Sequence, residues 1–236
     1  MTGEVCLSTS IKPEKKRVLV VAAHPDDETL GCGGTILKHI CAGDAVDWLI
    51  MTNVSQEQGF DRGFVARRQR QIRQVAKAYG FRQVHMLDLP TTRLDCVARG
   101  ELVKCVSGVV QKIRPDILYV PFINDVHSDH EITLKAVLSA TKSFRLLSLR
   151  QVLAYEALSE TEFALPIRQK VFVPTAFSDI SRFMEKKLKI MRIYKEELKK
   201  APFPRSLKNM RALACFRGST AGVDYAEAFM ILKEIV

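Results

Sequence analysis

The sequence has no hydrophobic run long enough to cross a lipid bilayer. Its longest apolar stretches, such as residues 18–23, have the length of a buried β-strand. Residues 1–16 lack the apolar segment of a secretory signal, because Ser, Thr, Glu, Pro and Lys are mixed along them. We therefore expect a cytoplasmic protein with no transmembrane segment, in which residues 1–16 are a flexible lead-in and residues 17–236 form a single domain.

Cysteine motifs are missing as well. The six cysteines include no C-x-x-C pair, which excludes a cysteine-rich structural zinc site. We expect reduced thiols, so that any metal would need histidine and carboxylate ligands. A dinucleotide-binding fingerprint is also missing, because Gly31, Gly33 and Gly34 do not directly follow a strand pattern.

Acidic residues are outnumbered, with 26 Asp and Glu against 36 Lys and Arg, which gives a formal net charge of +10. Much of the excess lies in residues 182–211, where an apolar stripe that includes Leu188, Met191 and Tyr194 predicts an amphipathic helix with a solvated basic face. We predict no nucleic-acid partner, because no known motif accompanies this stretch and aromatic residues do not alternate with the basic ones. A substrate that carries phosphate is compatible with the same charge.

Apolar runs rich in Val, Ile and Leu alternate with helical patterns as far as Glu156, which predicts a doubly wound α/β layer sandwich with a parallel sheet. The predicted strands are residues 17–22, 45–52, 83–87, 117–122 and 151–156. The predicted helices are residues 29–42, 63–79, 98–113 and 129–141. Beyond Glu156 the pattern weakens, and we expect an edge strand or hairpin over residues 166–174, then the basic helix, then a final helix near residues 225–235.

A charged segment follows the first predicted strand directly. It reads His24, Pro25, Asp26, Asp27 and Glu28. One acidic residue would suffice to cap the next helix, whereas three acids and a histidine exceed that need. Because open parallel sheets bind ligands at the carboxyl ends of their strands, we expect these side chains at a functional site.

A second charged segment, residues 124–131, follows the fourth predicted strand. Ser128 and Glu131 have the spacing of a capping box, which predicts Ser128 as the N-cap and places Asp129 and His130 in the first helical turn. His127 would lie immediately outside that helix. Taken alone, this segment is more often surface polarity than a ligand pair. Both segments leave the same edge of the sheet, however, so we expect them to meet.

Together the two segments contain the parts of a hydrolytic metal site. Catalytic zinc uses three protein ligands, often two histidines and a carboxylate, and leaves a fourth position to water. A nearby carboxylate can take a proton from that water, and another histidine can stabilise an oxyanion or protonate a leaving amine. The spacing alone does not separate Asp26 from Asp27, or His127 from His130, in these roles.

These motifs resemble those of the PIG-L/LmbE family of zinc-dependent N-acetylglucosaminyl deacetylases. The resemblance rests on Ala-His-Pro-Asp-Asp-Glu at residues 23–28, Leu-Gly-Cys-Gly-Gly-Thr at residues 30–35 and His-Ser-Asp-His at residues 127–130. It continues with Arg68, with Arg-Gly at residues 217–218 and with Ala-Glu-Ala-Phe at residues 226–229, and so covers most of the chain. It implies a Rossmann-like three-layer α/β sandwich with a mostly parallel central sheet.

The resemblance also implies how the roles are divided. His24, Asp27 and His130 would bind Zn²⁺, and Asp26 would be the general base. His127 would contact the oxyanion and act as general acid, while Asp129 would tune or orient it. A His, Asp and His site also accepts other divalent transition metals.

Three positions bear on the substrate. Arg68 is a candidate substrate-binding residue, because a guanidinium suits a sugar hydroxyl or a phosphate, although an ordinary solvated arginine is an equal alternative. Gln71 and Thr91 depart from the family pattern, in which Glu and Asp are common. Both lie outside the implied metal ligands, so they affect the expected substrate and not the reaction class.

The predicted function is hydrolysis of the N-acetyl group of an N-acetylglucosamine-type sugar or its conjugate, which releases acetate and a free amine. The substrate would be a small molecule, with a phosphate- or nucleotide-linked sugar among the candidates. The alternatives are an amidase that cleaves a related acylated or thiol-sugar conjugate with the same metal site and, less favoured, a basic nucleotide- or nucleic-acid-binding module. The identity of the sugar and the oligomeric state stay open at this point.

Overall fold

The computed structural model describes residues 14–236. The predicted flexible lead-in, residues 1–16, falls almost entirely outside the described residues. The organisation of residues 17–236 as a single domain stays a prediction.

The described residues contain one seven-stranded sheet. Its strands are β1 (Arg17–Ala22), β2 (Ala45–Asn53), β3 (Gln83–Pro90), β4 (Ile117–Pro121), β5 (Gln151–Tyr155), β6 (Ala176–Asp179) and β7 (Ala226–Glu234). Their order is β3-β2-β1-β4-β5-β7-β6. The first five strands pair in parallel, whereas β7 runs antiparallel to both β5 and β6.

Helices cover both faces of the sheet. They are α1 (Asp27–Ala42), α2 (Arg62–Tyr79), α3 (Arg99–Ile113), α4 (Ser128–Ala140), α5 (Met184–Met191) and α6 (Leu207–Ala221). Alternate residues of β1 point into different layers, because successive side chains of a strand face opposite sides. Val18 and Val20 pack with α1, α2, α5 and α6, while Leu19 and Val21 pack with α3 and α4. The predicted three-layer α/β sandwich with a mostly parallel sheet is confirmed.

The strand order creates a crevice at a defined place. The chain builds outward from β1 to β3 on one side and then crosses to β4 on the other side of β1. Loops that leave the carboxyl ends of β1 and β4 therefore diverge, which is where open α/β sheets bind ligands. Each of the two charged segments follows one of these strands.

Three predictions for the C-terminal region are wrong. The helix predicted near residues 225–235 is instead the strand β7 (Ala226–Glu234), because β7 is hydrogen bonded to strands on both sides and this tertiary setting outweighs the helical propensity of its residues. Residues 166–174 hold a short 3-10 turn at Arg168–Lys170, and the edge strand is β6. The single basic helix is two helices, α5 and α6, since Pro202 and Pro204 in the connecting loop cannot donate backbone hydrogen bonds.

Helix α1 is kinked, and the kink brings it close to the sheet. Cys32 has non-helical angles, φ −139° and ψ 22°. A Cβ atom on Gly31 would lie 2.1 Å from the ring of Tyr155, so only glycine allows this approach. Beyond the kink, the backbone N–H groups of Gly34 and Thr35 each donate to Glu227 of β7 at 2.8 Å.

A buried ion pair completes this junction. Lys187 of α5 donates to Glu227 Oε1 at 2.7 Å and to the Leu30 carbonyl oxygen at 3.0 Å. Both charged side chains are almost fully buried. The end of the chain therefore holds α1, the helix that begins at the charged segment after β1. Among the described residues, no helix combines the length and hydropathy needed to cross a membrane.

Candidate metal and catalytic centre

The two charged segments meet at the carboxyl ends of β1 and β4, as predicted. His24 follows β1, and Asp27 is the first residue of α1. His127, Asp129 and His130 lie where the loop after β4 enters α4. His24 and His130 are 106 positions apart in number, yet their ring centroids are 5.6 Å apart.

His24, Asp27 and His130 form a group that could hold a metal ion. Their potential ligand atoms lie within 4.8 Å of one another. His24 Nδ1 is 3.7 Å from Asp27 Oδ2, and His130 Nε2 is 3.3 Å from Asp27 Oδ1. Ligand atoms bound to one tetrahedral zinc ion lie roughly 3.3 to 3.6 Å apart, because each is about 2.0 to 2.2 Å from the metal.

One atom of this group points to a missing partner. His130 Nε2 is fully buried and makes no hydrogen bond within the described residues. A buried polar nitrogen without a partner is costly in a folded protein. A divalent cation would satisfy it, and two imidazoles with one carboxylate suit zinc and similar transition metals. The residues present therefore fit a metal.

Each imidazole of the group has a second carboxylate on its other nitrogen. His24 Nε2 is 3.0 Å from Asp129 Oδ2, and His130 Nδ1 is 2.7 Å from Asp125 Oδ2. Thr161 in turn donates to Asp125 Oδ1 at 2.6 Å. Such carboxylates fix the ring orientation of metal-binding histidines. They leave His24 Nδ1 and His130 Nε2 facing Asp27.

The carboxylate of Asp129 contacts the ring of His24, whereas the resemblance implied that it tunes or orients His127. Potential ligand atoms of Asp129, His24 and His127 nevertheless lie within 4.8 Å of one another. The carboxylate of Asp129 also accepts hydrogen bonds from the backbone N–H groups of Thr92, at 2.8 Å, and Leu94, at 3.1 Å. It thereby joins the loop after β3 to the first charged segment. Asp125 has no role in the sequence-based prediction, although it lies within the second charged segment.

Electrostatics in the group favour a negative Asp27 beside positive charge. Burial alone would raise the pKa of Asp27, but His130 and His24 lower it well below its usual range. Burial alone would lower the pKa of His130, yet the carboxylates of Asp27 and Asp125 raise it well above its usual range. Because a ligating imidazole must be neutral, a metal ion bound here would displace a proton from His130.

Asp26 lies next to this group in an unusual backbone conformation. Its φ is 137°, a region that residues with a side chain rarely adopt. The Asp26 N–H donates to Glu28 Oε2 at 3.0 Å, which helps to hold the conformation. Its carboxylate is 2% exposed and accepts a hydrogen bond from Arg205 at 3.1 Å. Burial, together with the charges of Asp27 and Glu197, raises the pKa of Asp26 well above its usual range.

His127 precedes α4 and serves as its N-cap, which corrects the prediction of Ser128. His127 Nδ1 accepts the backbone N–H of Asp129 at 3.2 Å. The proton of a neutral His127 ring is then on Nε2. Burial, with the neighbouring His24 and His130, lowers the pKa of His127 to about 4. His127 is therefore a neutral hydrogen-bond donor at neutral pH.

Arg68 is buried at the cleft, unlike an ordinary solvated arginine. It donates to the Pro25 carbonyl oxygen at 3.2 Å and pairs with Glu197. Gln71, one turn further along α2, donates to the Ile193 carbonyl oxygen at 3.0 Å. Gln71 thus helps to join α2 to the loop after α5, whereas Thr91 lines the cleft.

The cleft above the charged segments has a volume of about 170 Å³. Its walls include three charged residues that sequence reasoning missed, and all three come from the C-terminal region. They are Glu160, Glu197 and Arg205. They lie in irregular loops without a recognisable spacing, so no local signal marks them.

Comparison with known proteins agrees with this arrangement. The diacetylchitobiose deacetylase of Thermococcus kodakarensis is 28% identical over 234 residues, which cover 93% of this chain and 84% of the relative. The structure of N,N'-diacetylchitobiose deacetylase from Pyrococcus horikoshii has a TM-score of 0.73 and 23% identity, and the match covers 92% of this chain and 84% of that one.

A protein with a different reaction has the same fold. The 4-carboxy-2-hydroxymuconate hydratase from Pseudomonas putida KT2440 has a TM-score of 0.73 and 18% identity, and the match covers 94% of this chain and 98% of that one. The fold alone therefore does not identify the reaction. The sequence motifs are more specific: residues 19–141 match the PIG-L model, described as GlcNAc-PI de-N-acetylase. Because this match spans more than half of the chain, the protein belongs to the PIG-L family of deacetylases.

Proposed function

We propose that this protein is a metal-dependent deacetylase, with zinc as the preferred ion, that hydrolyses the N-acetyl group of an N-acetylglucosamine-type sugar or its conjugate. The observation that carries the proposal is the buried His130 Nε2, which has no hydrogen-bond partner among residues 14–236 and lies beside Asp27 and His24, next to a second buried carboxylate, Asp26. Membership in a deacetylase family and the similarity to diacetylchitobiose deacetylase support it.

His24, Asp27 and His130 would hold the ion. When bound there, a divalent ion would lower the pKa of a coordinated water and polarise the acetyl carbonyl group. Asp125 and Asp129 hold the two imidazoles in orientation, through the contacts of 2.7 and 3.0 Å described above.

Asp26 would accept the proton of the attacking water. Its raised pKa suits a base that must later release the same proton, which it would deliver to the departing amine as the C–N bond breaks. Arg205 keeps the Asp26 carboxylate in position before the reaction. Acetate and the free amino sugar are then the products.

His127 would donate a hydrogen bond from Nε2 to the carbonyl oxygen as that atom gains negative charge. A neutral ring with a pKa of about 4 is suited to this role and poorly suited to protonating an amine at neutral pH. We therefore assign the leaving-group proton to Asp26 and not to His127, which differs from the role that the family resemblance implied.

The test is acetate release by the zinc-loaded protein. N,N'-diacetylchitobiose and methyl N-acetylglucosaminide would be compared with analogues that carry longer acyl groups, and metal content would be measured on the same samples. We expect acetate and a primary amine in equal amounts, and loss of both after chelation. Faster cleavage of the longer acyl groups would favour the amidase alternative, and no amide hydrolysis with any sugar would refute the proposal.

A further inference from the structure

The charge balance inside the cleft differs from that of the whole chain. The chain carries +10, but many of its basic side chains are exposed on the outer faces of α2 and α5, such as Arg70, Arg73, Lys186 and Lys189. The cleft itself contains two guanidinium groups and several carboxylates. The net charge of the chain therefore does not describe what a substrate meets there.

The first guanidinium group, that of Arg68, is already satisfied by the protein. Nη1 donates to the Pro25 carbonyl oxygen, and Nη2 pairs with Glu197. The aromatic rings of Phe64 and Tyr194 lie 5.7 and 5.9 Å from its guanidinium carbon. A phosphate could reach Arg68 only by displacing Glu197.

The second guanidinium group, that of Arg205, is shared among three carboxylates. Nη1 is 3.1 Å from Asp26 Oδ2 and 3.2 Å from Glu197 Oε2, while Nη2 is 3.7 Å from Glu160 Oε1. Its Nε is buried and has no hydrogen-bond partner among the described residues. Through Nη1, Arg205 is thus already paired with two carboxylates of the cleft wall.

Glu160 is a weakly compensated carboxylate of the cleft wall. It is only 9% exposed. Its distance to Arg205 exceeds a hydrogen bond, and the hydroxyl of Ser159 donates to the same oxygen, Oε1, at 3.2 Å. Burial raises the pKa of Glu160 above its usual range. A carboxylate in this setting gains from a hydroxyl donor and loses from a nearby anion.

We propose that the cleft selects N-acetyl sugars whose linked group is uncharged, that it rejects those with a phosphate or carboxylate beside the sugar, and that Glu160 determines this choice. The inference rests on the deacetylase activity proposed above and names the substrate class for it. Sugar hydroxyl groups can donate to Glu160 and Glu197, whereas a phosphate offers only acceptors to carboxylates that are already negative. The phosphate- or nucleotide-linked substrates compatible with the net charge are then poor ones.

The test compares two sugars that differ in the group linked to the anomeric carbon, which is a neutral methyl group in one and a charged phosphate in the other. Methyl N-acetyl-α-glucosaminide and N-acetyl-α-glucosamine 1-phosphate would be assayed with the zinc-loaded wild-type protein for acetate release. We expect kcat/KM for the uncharged sugar to be higher by roughly tenfold or more, as expected for a like charge placed near buried carboxylates. Added salt should narrow the difference.

Two variants examine the residues involved. In Glu160→Gln the preference ratio should fall several-fold, because the side chain keeps its shape and loses its charge. Glu197→Gln should lower the ratio as well, since it frees Arg68 and Arg205 for an anion, and it provides a second measurement if the first variant folds poorly. Glu101→Gln on the exposed surface of α3 is the control for the change in net charge, and should behave like the wild type.

Equilibrium binding separates this inference from the proposed function. The two deacetylated sugars, methyl α-glucosaminide and α-glucosamine 1-phosphate, would be titrated into the wild-type protein by calorimetry. If no sugar is hydrolysed, the proposed function fails, while a binding preference for the sugar without the phosphate would still support charge selection. Equal or better use and binding of the phosphate sugar by the wild type would overturn the inference. An unchanged preference ratio in a folded Glu160→Gln variant would overturn it too, and if that variant does not fold, an unchanged ratio in Glu197→Gln would do so.

Discussion

The two parts of the chain that meet at the cleft, residues 17–155 and residues 156–236, supply different kinds of side chain. The first part provides the candidate metal ligands and the candidate base, all on segments that leave parallel strands. The second part provides Glu160, Glu197 and Arg205 in the cleft wall, and also Lys187 and Glu227 beneath α1.

The two parts of the chain therefore separate the groups that would carry out the reaction from the groups that surround them. A shared sheet edge brings the reactive groups together whatever the substrate is. The loops of the second part then determine which charges surround those groups, and its last strand holds the helix on which they depend. Loops tolerate change better than strands, so selectivity can vary while the metal group stays in place.

Removal of the candidate base, which belongs to the first part of the chain, should have the largest effect on activity. We expect Asp26→Asn to lower kcat by roughly 10² to 10⁴-fold, because the proton acceptor is lost while His24, Asp27 and His130 remain. Acetate release and metal content by mass spectrometry would be measured together. Asp95→Asn, an exposed change, is the control. Activity within a few-fold of the wild type would show that another group is the base.

The junction beneath α1 gives the largest effect on stability. Lys187→Met should lower the free energy of unfolding by about 3 to 5 kcal/mol, because it leaves the buried Glu227 carboxylate without its cation. Urea unfolding followed by circular dichroism would measure the change. Lys189→Met, on the exposed face of the same helix, should change it little. A loss below about 1 kcal/mol would mean that the N–H groups of Gly34 and Thr35 and the hydroxyl of Thr35 are sufficient to satisfy the Glu227 carboxylate.

The carboxylate behind His130 joins the two parts of the chain. Asp125→Asn should weaken zinc binding by roughly 10 to 100-fold, because the acceptor that orients the ring of His130 loses its negative charge and the imidazole becomes a less basic ligand. Competition with a chelator would give the affinity. Thr161→Val removes a donor contributed by the second part and should have a smaller effect in the same direction. If both variants bound zinc as the wild type does, Asp125 would have no part in metal binding.

Among the changes proposed for residues 156–236, Arg205→Lys should have the smallest effect. Lysine keeps the charge but cannot bridge Asp26 and Glu197 with a planar group, so we expect kcat/KM to fall by roughly three to tenfold with metal content unchanged. Steady-state kinetics on an uncharged N-acetyl sugar would measure it. Arg192→Lys at an exposed position is the matched control. A rate equal to that of the wild type would show that Arg205 does not position Asp26.

The sequence predicted the first part of the fold and the meeting of His24, Asp27 and His130, because both follow from regular patterns. Alternating apolar runs indicate parallel strands, and parallel strands end at the same edge. Individual side-chain contacts did not follow from these patterns. Asp129 lies against His24, 105 positions away in number, because the loop after β3 supplies two N–H groups that hold its carboxylate there.

The second part was predicted poorly for physical reasons as well. The residues of β7 favour a helix locally, and only its neighbours β5 and β6 make it a strand. Arg205 reaches Asp26 from a loop that contains two prolines and has no periodic pattern. Local sequence does not encode such long-range contacts, so only the folded structure reveals which residues of this part line the cleft.

The junction between Glu227 and the kinked helix has a consequence for biosynthesis. A ribosome adds residue 227 well after the segments that begin at His24 and Asn124. Until then Gly34 and Thr35 lack the acceptor for their N–H groups, and Lys187 lacks its counter-ion. The strands β1 to β5 are therefore synthesised before the acceptor that holds the first helix, and this helix can reach its final position only once β7 has joined the sheet.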